Sequence, residues 1–147
     1  MMRSLIKALA FTAALFLPLG QGFAADGHKV VMHLDDNDPA RMNLVLNNAS
    51  NLAKHYQDKG EELQVEVVAY GPGLMMLHAK KSPVAERMGS FTDNFPSVSF
   101  KACANTMAKM KKKTGKDVPL FEGVEVVSGG VVHLLERQEQ GWAYLRP

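Results

Sequence analysis

Apolar positions along this chain alternate between short unbroken runs and a three-to-four-residue period, a pattern that predicts strands followed by helices. Lys29 to Leu34 is a short apolar run, and it ends in the turn-forming stretch Asp35-Asp36-Asn37-Asp38-Pro39. From Ala40 to Tyr56 the positions Met42, Val45, Leu46, Ala49, Leu52, Ala53 and Tyr56 keep helical spacing, with Asp38 as a cap and Pro39 in the first turn. Gly60 breaks that period. Leu63 to Tyr70, rich in valine, predicts a second strand closed by Gly71-Pro72-Gly73.

Leu74 to Leu77 predicts a short helix, and Ser82-Pro83 opens another with Val84, Met88 and Phe91 facing inward. Val98 to Ala102 is the third strand. Asn105 or Thr106 is the expected cap of a helix running toward Lys113 and stopped by Gly115. Gly123 to Ser128 predicts a fourth strand, ended by Gly129-Gly130. Val131, Leu134, Leu135 and Gln138 then recur at helical spacing until Gly141, and Trp142 to Leu145 forms a last strand. There is no internal repeat and no low-complexity segment. Strand-helix alternation of this kind predicts an α/β fold, a mostly parallel sheet of about five strands covered by helices on both faces.

The amino terminus reads as an export signal. Arg3 and Lys7 precede the apolar stretch Ala8 to Leu19, and Gly22-Phe23-Ala24 offers a small-residue cleavage site before Ala25. Cleavage there makes 1–24 a signal peptide and 25–147 a single domain, exported and periplasmic if the source is Gram-negative. The stretch falls short of the ~20 residues of a spanning helix. Of 17 Lys and Arg, two lie in the signal, so the mature chain carries 15 cations against 15 carboxylates. Such a balance argues against nucleic acid and membrane surfaces as partners, since both require a basic face. Lys109 and Lys111 to Lys113 read as cations at a helix end, where they complement the dipole.

In parallel sheets the loops after the carboxyl ends of the strands build the binding crevice. Four segments fall there: Asp35 to Asp38, Tyr70 to Gly73, Cys103 to Thr106, and Ser128 to Gly130. Cys103 is the only cysteine, so no internal disulfide can form. At the start of a helix, exposed amides and the dipole would favour its reactive thiolate; buried in the core, it would be an inert packing residue. Lys101 adds positive charge nearby or points to solvent. Beside Cys103, the crevice loops offer Gly71, Gly73, Asn105, Thr106, Gly129 and Gly130 as substrate-binding residues.

The turn Tyr70-Gly71-Pro72-Gly73, the helix start Ser82-Pro83-Val84-Ala85, Cys103-Ala104-Asn105-Thr106 and the tail from Gly129-Gly130 to Trp142-Ala143-Tyr144-Leu145-Arg146-Pro147 carry a resemblance. Together they resemble the DsrE/DsrF-like sulfur-relay family, in its exported single-domain branch. The resemblance implies a three-layer α/β/α domain, assembly into homotrimers or hexamers, and a cysteine that carries sulfane sulfur as a persulfide. Cys103 matches that carrier. Donor and acceptor, proteins or small sulfur compounds, stay unidentified, and no second cysteine is available for disulfide cycling. A carrier discharged once per encounter is at most sulfurtransferase-like, and it calls for no cofactor.

Other constellations read more simply. Asp35, Asp36 and Asp38 lack the rest of a calcium loop, so turn and cap formation account for them better than a cation. Met75, Met76 and His78 could ligate copper, but adjacent methionines more often pack, and no metal site is assigned. His33 and His133 could approach Cys103 in space, though nothing in sequence marks a hydrolase. Trp142 and Tyr144 read as packing. Two alternatives to sulfur relay stand: a noncatalytic small-ligand module with Cys103 as packing, and an assembly module using apolar surfaces such as Leu74 to Leu77.

Overall fold

A computed structural model describes residues 27–147, and the expected signal peptide lies outside the described residues. The element order is β1 (His28–Leu34), α1 (Pro39–Lys59), β2 (Leu63–Ala69), a 3₁₀ helix (Gly71–Leu77), α2 (Ala85–Asn94), β3 (Val98–Cys103), α3 (Ala104–Thr114), β4 (Glu125–Val127), α4 (Gly130–Glu139) and β5 (Ala143–Leu145). All five strands run parallel in the order β4-β3-β2-β1-β5. The expected three-layer α/β/α architecture is therefore present.

The helices are unequally shared between the two faces of the sheet. Val30, Met32, Leu34, Val65, Val67 and Phe100 point to one face, where α1, α2, α3 and the 3₁₀ helix build the main core. In α1 the positions Met42, Val45, Leu46, Ala49 and Ala53 are buried, as their spacing requires. Removing such a side chain, as in Leu46→Ala, costs about 2–5 kcal/mol. Asp38 caps this helix by accepting the Ala40 N–H at 2.9 Å, and Gly60 closes it in the left-handed conformation (φ 68°).

Among the described residues, the opposite face carries only α4. Its small core is Val31, Val68, Leu134 and Trp142, with Tyr70 packed against it. Here the helical period misleads: only Leu134 and Gly130 of α4 are buried, while Val131 and Leu135 are 61% and 56% exposed. The sheet contributes charge on this face, because Glu66, Lys101 and His33 lie in strands yet are buried. A charged residue survives burial only when paired, and that pairing replaces part of the missing apolar contact.

Three further expectations are corrected. Neither Asn105 nor Thr106 caps α3; Cys103 occupies the cap position, and both residues lie inside the first turn. The fourth strand is confined to Glu125–Val127, an edge strand bonded on one side to β3. The helix announced by Ser82-Pro83 starts at Ala85, because Ser82 and Pro83 form the turn before it, with the Ser82 hydroxyl accepting the Val84 N–H.

Candidate functional site

The carboxyl edge of the sheet brings together β3, the turn after β2 and the loop after β4. Cys103 ends β3 with extended backbone (φ −75°, ψ 115°), so the chain turns directly from strand into α3. Gly129, also extended, caps α4. Two helix amino termini thus meet at the Cys103 sulfur.

That sulfur is surrounded by donors. The Thr106 hydroxyl and the backbone amides of Gly130, Thr106 and Asn105 lie around it and favour its anion, although none closes a cap hydrogen bond to it. Burial pushes the thiol up, but these donors outweigh it and hold Cys103 below the ordinary thiol range. Thr106 is itself oriented, since its Oγ1 accepts the Gly71 N–H at 2.9 Å and leaves its proton for the sulfur. Gly71, in the left-handed region at φ 53°, allows the turn that presents this amide.

The glycines act through close approach. A Cβ on Gly73 would stand 2.5 Å from the Leu34 carbonyl oxygen, and one on Gly130 would stand 2.9 Å from Tyr70 Cβ. Gly129 is less tightly held, its nearest neighbour being Asn105 Nδ2 at 3.3 Å. The structure places Cys103, Asn105, Thr106, Gly129 and Gly130 around one depression of about 200 Å³, completed by Tyr70, Lys109, Val131 and Val132. Gly71 lies one step away through Thr106, whereas Gly73 packs against β1 and does not line the depression. Cys103 is 5% exposed at the base of this depression.

Two polar clusters that the sequence did not announce flank the site. Glu66 accepts from His133 Nε2 at 2.6 Å and from Arg137 Nε and Nη2 at 2.8 and 2.9 Å. Lys101 Nζ lies 3.7 Å from the same carboxylate and 2.7 Å from Glu125. Lys101 is therefore buried and neutralised, not solvent-directed. Burial pushes the Glu66 carboxyl up, but Arg137, His133 and Lys101 prevail and hold it below the usual carboxylate range. The sequence signal was a glutamate inside a valine-rich strand, matched by His133 and Arg137 four residues apart on α4.

The second cluster surrounds His33. Its Nδ1 shares a 2.7 Å hydrogen bond with the Tyr144 hydroxyl, its ring stacks on Tyr70 with centroids 4.9 Å apart, and its Nε2 lies 3.5 Å from Asp35 without a hydrogen bond. Burial holds its pKa below the ordinary imidazole value, and the Arg146 charge works in the same direction. Asp35 pairs with Arg146 at 2.9 Å, and Asp38 caps α1, so both carboxylates have structural partners. The three copper candidates do not converge: Met76 is fully buried in the core, while Met75 and His78 line a separate cavity.

No protein-family model matches the chain, and no curated protein matches it. Among solved structures it is similar to MTH1491 from Methanobacterium thermoautotrophicum, a protein of unknown function, at 37% identity with a TM-score of 0.68. The match covers 82% of this chain and 99% of that one. Likeness at that identity over almost the full length of the other protein extends beyond the fold, and the chain belongs to the same family as MTH1491.

Proposed function

We propose that the chain is an exported sulfur-relay protein that carries sulfane sulfur as a persulfide on Cys103. The observation that supports this reading most is the set of donors at the meeting of two helix amino termini, which favours the thiolate at the base of an open depression. The Cys103 thiolate attacks the sulfane sulfur of a donor, forming a new S–S bond while the donor's S–S bond breaks. The donor's remaining sulfur leaves with the electron pair, as a thiolate or, from thiosulfate, as sulfite. An acceptor thiolate then attacks the terminal sulfur, and Cys103 leaves as the thiolate it began as. No net oxidant and no second cysteine are needed. The resemblance to DsrE/DsrF-like relays supports the same chemistry.

Exposed Val131, Val132 and Leu135 on α4 fit the homotrimeric or hexameric assembly that the resemblance implies. The relay is tested by intact mass after exposure to polysulfide or thiosulfate. One added sulfur, removed by reductant and absent from Cys103→Ser, is the expected result; no loading, with a thiol that resists alkylation, makes Cys103 a packing residue and leaves the ligand-binding or assembly reading.

A further inference from the structure

Three depressions on this molecule share walls. The one at Cys103 has Tyr70, Thr106 and Lys109 in common with a groove of about 450 Å³. That groove in turn shares Met75 and Met110 with a cavity of about 360 Å³ beneath His78 and Pro119. They form one trough that starts at the sulfur and follows α3 to its carboxyl end.

The trough has an apolar floor and a cationic border. Met75, Met110 and Val118 are half-buried against the main core and supply the floor. Lys109, Lys113 and Lys116 run along one side, with Lys80 and Lys81 bordering the far cavity, and all five are exposed. Among the lining residues the one carboxylate is Asp117, and Lys111 already holds it at 2.7 Å. The mature chain is balanced in charge, so this border is a local concentration of positive charge and not a reflection of composition.

Spacing narrows the occupant. Lys109 and Lys113 are one turn apart on α3, a separation of about 6 Å along the helix axis. Alternate side chains of an extended peptide are separated by about 6.6 Å. A strand-like segment therefore places acidic side chains against successive lysines and its intervening apolar side chains away from them, over Met75 and Met110. A compact small anion would use one lysine and leave the rest of the border unmatched.

We propose that this trough docks an extended segment of a partner polypeptide in which acidic and apolar residues alternate, leading that partner to Cys103. The proposal rests on the relay reading only for the purpose of docking; the binding itself is independent of the sulfur. The probe is a fluorescein-labelled octapeptide of alternating Glu and Leu, followed by fluorescence anisotropy on the mature protein, beside a Lys-Leu peptide of equal length. Saturable binding of the acidic peptide alone is expected, weakened by raised salt and by about tenfold or more in Lys113→Glu with Lys116→Glu. Lys80→Glu with Lys81→Glu, on the far wall, is expected to weaken it as well, with circular dichroism checking that both variants fold. Equal binding of both peptides, or indifference to both pairs of substitutions, would overturn the docking proposal. Displacement by octanoate at matched concentration would also overturn it, making the trough a site for small amphiphilic anions. Docking lost with sulfur loading intact refutes the trough alone, whereas loading lost with docking intact refutes the relay and leaves the trough standing.

Discussion

Cys103 caps α3, and the backbone N–H of Gly130, the first residue of α4, lies beside its sulfur, so the starts of two helices on opposite faces of the sheet meet at one atom. The thiolate is favoured by the surrounding donors and not by Lys101, which is spent on Glu66 and Glu125.

Thr106 is the side chain in that arrangement that can be removed without touching the backbone. Thr106→Val takes away a donor to the sulfur and also strands the Gly71 N–H. A hydrogen bond to a charged group contributes about 1.5–3 kcal/mol, so the alkylation midpoint should rise by about one unit or more and the rate at neutral pH fall about tenfold. Thr106→Ser should restore both. The measurement is iodoacetamide reactivity against pH; an unchanged profile would mean that the hydroxyl does not serve the thiolate.

Glu66 should dominate acid stability. Its carboxyl is held below the ordinary range, so its contribution is complete above the unfolded carboxylate pKa near ~4.3 and is lost as pH falls through the lower folded value. Glu66→Ala leaves His133, Arg137 and Lys101 without their buried partner and should cost about 3–5 kcal/mol. Urea denaturation from neutral pH to about pH 3 should show a steep acid limb in the parent protein and a flatter one in Glu66→Gln.

His33 has a dependence of the same sign, set at higher pH. Its folded pKa is depressed, so it carries no penalty above the unfolded value near ~6.5, and stability declines below that as the unfolded chain takes up a proton that the fold resists. His78 is depressed too, by burial and by Lys81 and Lys80, so His33→Gln should remove part of this slope and not all of it. Thermal midpoints at pH 7.5 and 5.5 make the comparison; an equal drop in parent and variant would contradict it.

The glycines should separate by what an added methyl meets. Gly73→Ala drives Cβ into the Leu34 backbone and should cost on the order of 2–4 kcal/mol, with no direct effect on the sulfur. Gly130→Ala meets Tyr70 and displaces the amide that serves Cys103, so it should slow alkylation as well as destabilise. Gly129→Ala presses only on the end of the Asn105 side chain and meets Val132 at ordinary van der Waals distance, so it should cost less than about 1 kcal/mol. Chemical denaturation paired with alkylation rates distinguishes the three.

Much of this fold was legible because it rests on period. The five buried positions of α1 and the apolar runs of β1, β2 and β3 belong to the face where burial alone decides, and there pattern and structure coincide. The other face was not legible in the same way. Its stability draws on Glu66, His133, Arg137 and Lys101, residues scattered over three elements whose meeting depends on strand register. The apolar period therefore did not show which side of α4 faces the sheet: Leu134 and the charged partners turn inward, and Val131 and Leu135 outward. Of the crevice residues, the strand-end rule collected Cys103, Asn105, Thr106, Gly129 and Gly130 into one depression. It brought in the Tyr70 turn as well, but it did not foresee the reversal of roles by which the cysteine, and not the residues after it, caps α3.

Because Leu134 is the one large side chain that α4 buries, that helix is held to the sheet chiefly by salt links and by a single aliphatic contact. Elements with so little apolar anchorage occupy the low end of the local-opening scale, and amide hydrogens in α4 should exchange before those of β1 to β3. Opening of α4 would carry the Gly130 amide away, so the sulfur would lose a donor as it gained access to solvent. If this ten-residue helix opens, exposure and ionisation of Cys103 would move in opposite directions, so Cys103 alkylation rates should be read beside amide exchange in α4.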